Sequence, residues 1–93
     1  MIVGILEVSF HIPGSQSLKD KRQVVRGLKD RIRRRFNVSL AETDGQETWR
    51  QCSLAAAMVA TQRTAVERDL NRILDLIQSV PAVEVTDQWI EYL

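Results

Sequence analysis

Five cations, Lys19, Arg22, Arg26, Lys29 and Arg33, recur three or four residues apart in one stretch of the chain. On a helix they fall within a sector about 80° wide and span roughly 21 Å, at 1.5 Å of rise per residue. A stripe of that length can follow several phosphates of a nucleic acid, neutralising them with release of counterions. The segment from Ser17 to Phe36 holds nine bases, these five with Lys21, Arg31, Arg34 and Arg35, against two acids, Asp20 and Asp30. The whole chain carries only +1, so the remainder is acidic. Such asymmetry points to a polyanionic partner, RNA or a ribosome, or to an acidic protein. The competing reading is a solvated basic helix, partly neutralised by Glu67, Asp69 and Asp75.

Lys21 stands apart from the stripe, at about 300° and inside the apolar sector of the same helix. A lysine there must snorkel past the helix start or find a carboxylate or carbonyl, with Glu42 the carboxylate at hand. Free N–H groups at a helix start attract anions, and Ser15, Ser17, Lys19 and Lys21 would surround this one. Lys21 therefore joins the five as a phosphate-contact candidate, although capping by Ser17 alone also explains the pattern.

Other chemistry is sparse. His11, at a strand end, has no assignable catalytic or metal partner. Cys52 stands alone on an apolar strand face and reads as an inert core thiol. Glu42 and Asp44 share a strand face near a hairpin, with no base or nucleophile beside them. No catalytic residue, metal or cofactor is expected, and the chain reads as non-enzymatic.

The elements that position these residues follow from periodicity. Even positions from Ile2 to Ile12 are the more apolar, which predicts a strand ended by Pro13-Gly14. Ser17 opens a helix with Leu18, Val25, Leu28, Ile32 and Phe36 on one stripe. Asn37 to Thr43 alternates again, and Asp44-Gly45 signals a hairpin turn. Thr48 to Ala60 reads as a long strand, Arg63 to Gln78 as a second helix, and Val83 onward as a last strand. The order β-α-β-β-α-β predicts a ferredoxin-like α+β sandwich: a four-stranded antiparallel sheet, ordered 4-1-3-2, with two helices on one face. The expected core is Leu6, Val8, Leu28, Ile32, Leu54, Met58, Leu70, Ile73 and Val85.

With 93 residues the chain is expected to be one domain, residues 1–93, with a single thin core. No apolar run approaches the ~18 residues of a membrane span, and no leader is visible, so no membrane partner is expected. One cysteine makes no internal disulfide and suits a reducing cytoplasm. The sheet face away from the helices lacks the stacking aromatics of an RNA-recognition sheet, since it offers Glu7, Ser53, Ala55 and Ala57. The loop Pro13 to Ser17 has one glycine and no arginine, unlike acylphosphatases, and lacks the Cys-x-x-Cys of heavy-metal carriers. A small-ligand or protein-binding regulatory module of this topology stays open. Val3, Ile5, Ala55, Ala57 and Val59 give the open face a low-charge patch, expected to hold a homodimer or another protein, with Trp49 at its rim. Trp89 is a packing anchor or, if exposed, a further interface residue.

Ser17-Leu18-Lys19-Asp20-Lys21-Arg22, followed by Phe36-Asn37-Val38-Ser39, Glu42 and Trp49, resembles the signature of the YlxP-like family of small bacterial proteins of unknown function. The resemblance covers essentially the whole chain. It implies a ferredoxin-like fold and a cytoplasmic bacterial protein. It also implies a ribosome-linked role, because many relatives' genes lie among those for translation initiation and ribosome maturation. It supplies no reaction and no catalytic residues. The Arg33-Arg34-Arg35 run exceeds what the family pattern requires.

Overall fold

The computed structural model describes residues 1–45, 48 and 50–93. Its elements are β1 (Ile2–His11), α1 (Leu18–Arg35), β2 (Ser39–Asp44), β3 (Gln51–Ala60), α2 (Arg63–Gln78) and β4 (Glu84–Tyr92). The strands form one sheet in the order β2-β3-β1-β4, all pairs antiparallel, which is the expected ferredoxin-like order. Strand alternation does what it promised. Leu6, Val8 and Phe10 of β1 and Cys52, Leu54, Ala56 and Met58 of β3 are buried on the helix side. Both helices cover that side, adding Val25, Leu28 and Ile32 from α1 and Val66, Leu70, Ile73 and Ile77 from α2.

The helix ends follow local chemistry. Ser17 Oγ accepts the Asp20 N–H at 3.1 Å, and the Asp20 carboxylate accepts the Gln16 N–H at 3.1 Å. The first bond satisfies a free donor of the first turn of α1, and the second ties the residue before the cap to that turn. α2 lies close on β1, because Gly4 removes the side chain that would meet it. A Cβ there would run into Val66 Cγ1 and come within 3.1 Å of Leu70 Cδ1.

Several expectations are corrected. β2 begins at Ser39 and β3 at Gln51, two and three residues later than alternation suggests. Leu18 is exposed rather than part of the α1 stripe. Val85 is half-buried against the core and Val83 is the deeper residue; the register shift between Ser9 and Phe10 is what sets Val85 opposite Phe10 on the helix side. A second shift lies between Glu42 and Asp44, placing Glu42 opposite Leu54 but Asp44 opposite Ser53. The bulge turns the two carboxylates to different faces, so they do not form a pair.

Candidate functional site

α1 carries its cations where helical geometry puts them. Lys19, Arg22, Arg26 and Arg33 are exposed, and Lys29 is half-buried. Among the described residues none forms an ion pair with Lys19, Arg22, Arg26 or Arg33. Arg22, Arg26, Lys29 and Arg33 line an open groove of about 630 Å³, with Val25 at its base and Asp30 and Glu42 also on its lining. A smaller hollow of about 310 Å³ continues it past Lys19, between Arg22, Gln23 and Arg26. The stripe is thus one continuous surface.

Lys29 is the exception within it. Its Nζ lies 3.3 Å from Glu42 Oε1, and both side chains are about three-quarters buried. Glu42 reaches the helix because it stands on the helix-facing side of β2, before the bulge. The charge of Lys29 is largely answered inside the protein. Sequence reasoning offered Glu42 to Lys21 instead. The even position of Glu42 directs it to the helix side of the sheet but does not select which turn of α1 it meets.

Lys21, at the inner wall of the same groove, is set apart from the exposed cations. It is 2% exposed, and its ammonium donates to the Gly45 carbonyl at the turn after β2. The apolar sector of the helix carries the side chain inward, and a backbone carbonyl completes it. Nearby, Ile12 N–H donates to the Arg50 carbonyl at 2.7 Å and Arg50 Nε to the Ser15 carbonyl at 3.1 Å. These bonds strap the start of α1 to the β2–β3 connection. With Lys21 turned inward and the Asp20 carboxylate already on the Gln16 N–H, the helix start is a capped joint rather than an anion cradle.

Cys52 lies beneath this region. Burial pushes its thiol up to about 11, the charge of Glu42 adds to the shift, and Lys21 and Lys29 oppose it. A thiol so protonated is a poor nucleophile. His11 Nδ1 stands 4.0 Å from Glu84 Oε2 at the sheet edge, within reach of no other described acid. No three His, Cys, Asp or Glu side chains among the described residues are grouped to hold a metal ion.

The open sheet face carries Val3, Ile5, Ala55 and Ala57 half-buried and Val59 60% exposed. Trp89, 45% exposed, stands on the same face opposite Glu7 and supplies the large aromatic of the patch. Trp49, expected at the rim, lies outside the described residues. Among the described residues no helix is long and apolar enough to cross a membrane.

Two solved structures share the architecture. The de novo designed protein Foldit4 superposes with a TM-score of 0.59 at 15% identity, covering 98% of this chain and 96% of that one. SnoaB, a cofactor-independent oxygenase from Streptomyces nogalater, gives 0.56 at 14% identity, covering 99% and 90%. Identities this low speak for the fold alone. Similarity in sequence is more specific. The chain is 36% identical over 85 residues to the uncharacterized protein YlxP of Bacillus subtilis (strain 168), covering 91% of this chain and 92% of that protein. Residues 3–90 match the model of a family described as a protein of unknown function, DUF503. From β1 into β4, the chain belongs to the DUF503 family, whose YlxP-like members it resembles.

Proposed function

We propose that this protein is a non-enzymatic, RNA- or ribosome-associated protein that contacts phosphate through α1. The observation that carries this reading is the row of Lys19, Arg22, Arg26 and Arg33, exposed along one groove with no ionic partner among the described residues. Unpaired cations at one-turn intervals repel one another at a cost in stability, and a polyanion relieves that repulsion. Lys29 contributes less, since Glu42 holds it, and Lys21 contributes nothing.

The test is salt dependence. Four phosphate contacts give a log–log slope of roughly −3 on single-stranded or mixed RNA, from about −0.7 to −0.9 per contact. Replacing Arg26 and Arg33 together by Glu removes about two contacts' worth of slope and weakens binding to all sequences alike. Both residues are exposed, so the variant melts within about 1 kcal/mol of wild type. Normal melting with an unchanged slope, or no salt-sensitive binding by wild type to RNA or ribosomal subunits, leaves the stripe a solvated face.

The groove also supports a second reading, a regulatory module for a small ligand. Its ~630 Å³ falls within the usual range of ligand sites, and Asp30 and Glu42 set acceptors beside the arginines. A small molecule retained in native mass spectrometry, together with indifference to RNA, favours this reading.

A further inference from the structure

The open face of the sheet is divided lengthwise into two unlike halves. Across its centre the register runs Ala41, Ala55, Glu7, Trp89 from the β2 edge to the β4 edge. The next row runs Ser39, Ala57, Ile5, Glu91. Through these two rows the β2–β3 half is a trough of small side chains, closed at one end by the exposed Val59 beside Val3, and the β1–β4 half is a ridge crowned by Trp89. At one end the ridge continues through Val3 and Leu93, whose N–H donates to the Val3 carbonyl.

A ridge beside such a trough is self-complementary. We propose that two copies of this chain stack open face to open face, about a two-fold axis running parallel to the strands between β1 and β3. That operation lays β4 of one copy over β2 of the other and β1 over β3. Trp89 then enters the hollow at the partner's Ala41, and this happens twice by symmetry. Stacked sheets need a gap of about 10 Å filled by side chains, which an indole against alanine supplies and alanine against alanine does not.

Charge selects this axis over the alternative. A two-fold axis across the strands, centred on the same row, sets Trp89 on Trp89 and Glu7 on Glu7, and brings Glu91 against Asp87. With the axis along the strands, Glu7 meets Ala55 and Glu91 meets Ser39. Its one like-charge approach is Asp87 over Asp44, at a corner of the sheet, where the twist carries two stacked sheets apart. The footprint sets the strength. Four strands about 4.8 Å apart and seven residues of about 3.3 Å give roughly 440 Å² per copy before side-chain relief is added. A pair of such faces lies at the low end of specific interfaces, so the dimer forms at micromolar rather than nanomolar concentration.

The experiment is sedimentation equilibrium from roughly 1 to 500 µM, spanning micromolar dissociation constants, on wild type, Trp89→Ala, Ala41→Trp and the double variant. Each is checked by circular dichroism and melting. Wild type is expected to pass from 10.6 kDa to twice that mass over this range. Trp89→Ala weakens association at least tenfold, and Ala41→Trp, which sets indole on indole, abolishes it. The double variant moves the ridge to the other edge and recovers association to within a few-fold of wild type. That recovery separates this stacking from any other use of the face. A wild type that stays at 10.6 kDa throughout overturns the proposal and leaves the face to a different protein. So does a folded Ala41→Trp variant that still dimerises, or a folded double variant that associates no better than Ala41→Trp.

Discussion

α1 and α2 lie on the same side of one sheet, yet they put their surfaces to different use. α2 buries six aliphatic side chains, Val66, Leu70, Ile73, Leu74, Leu76 and Ile77, and settles onto β1 where Gly4 leaves room. α1 is two residues longer but buries only Val25, Leu28, Ile32 and a lysine. Its other faces carry cations, and the core beneath it holds Cys52 near Glu42, Lys21 and Lys29. The lesson is a division of labour. One helix supplies cohesion, and the other needs just enough apolar stripe to stay docked while its flank remains charged. Helical stability in proteins comes mostly from the packed face, so the flank of α1 is free to serve something else.

The sharpest break of this contrast is a cavity under α2. Leu70 is fully buried between α2 and β1, and Leu70→Ala is expected to cost about 3 kcal/mol and lower Tm by more than roughly 10 °C. Arg26→Ala on α1 is expected to change stability by less than about 0.5 kcal/mol. Chemical denaturation of the two variants checks both, and similar losses would show that α1 is as much a packing element as α2.

The charged side of the core predicts a pH effect that the α2 side lacks. The Cys52 thiol is raised from its ordinary value to about 11 in the folded protein. A group whose folded pKa lies above its unfolded one stabilises fully below the unfolded value, and that stability is lost as pH rises through the folded value. Stability is therefore expected to fall between about pH 9 and 11, by at most about 2–3 kcal/mol for a two-unit shift. Cys52→Ala removes this alkaline loss. Parallel stability–pH curves for the two would place the loss elsewhere.

Lys21 asks whether its charge or its stem matters. Its ammonium is completed by the Gly45 carbonyl, which also accepts from Thr48 N–H at 3.2 Å and Thr48 Oγ1 at 3.1 Å. Removing the ammonium alone leaves that carbonyl satisfied. Lys21→Met is thus expected within about 1 kcal/mol of wild type, because it relieves a buried charge and keeps the stem. Lys21→Ala loses the stem as well and costs roughly 2 kcal/mol. Equal losses in the two variants would assign the stabilisation to the charge.

The same residue marks the limit of what periodicity reveals. The sheet order, the helix spans and most of the core follow from alternation and from 100° geometry, because burial repeats with the backbone. The cationic stripe is legible for the same reason. Pairing across space is not. Lys21 joins Gly45 and Lys29 joins Glu42 because the bulge near Thr43 sets where β2 meets α1, and nothing in the local pattern announces that bulge. The register shift that sets Val85, rather than Thr86, opposite Phe10 is equally silent in sequence.

The smallest expected effect separates stability from binding on α1 itself. Gly27 lies mid-helix and exposed, and a Cβ added there meets nothing within 4 Å. It falls at about 180° from Leu18, opposite the apolar stripe and outside the 20–100° sector of the cations. Glycine at such a site costs helix stability through the entropy of the unfolded chain, and alanine recovers it. Gly27→Ala is expected to stabilise by about 0.5–1 kcal/mol and raise Tm by a few degrees. RNA affinity and salt slope should stay at wild-type values, since Arg22, Arg26 and Arg33 keep their positions. If the variant is more stable but binds RNA less well, the backbone at Gly27 is part of the contact, and the interface reaches beyond the groove to the far side of α1.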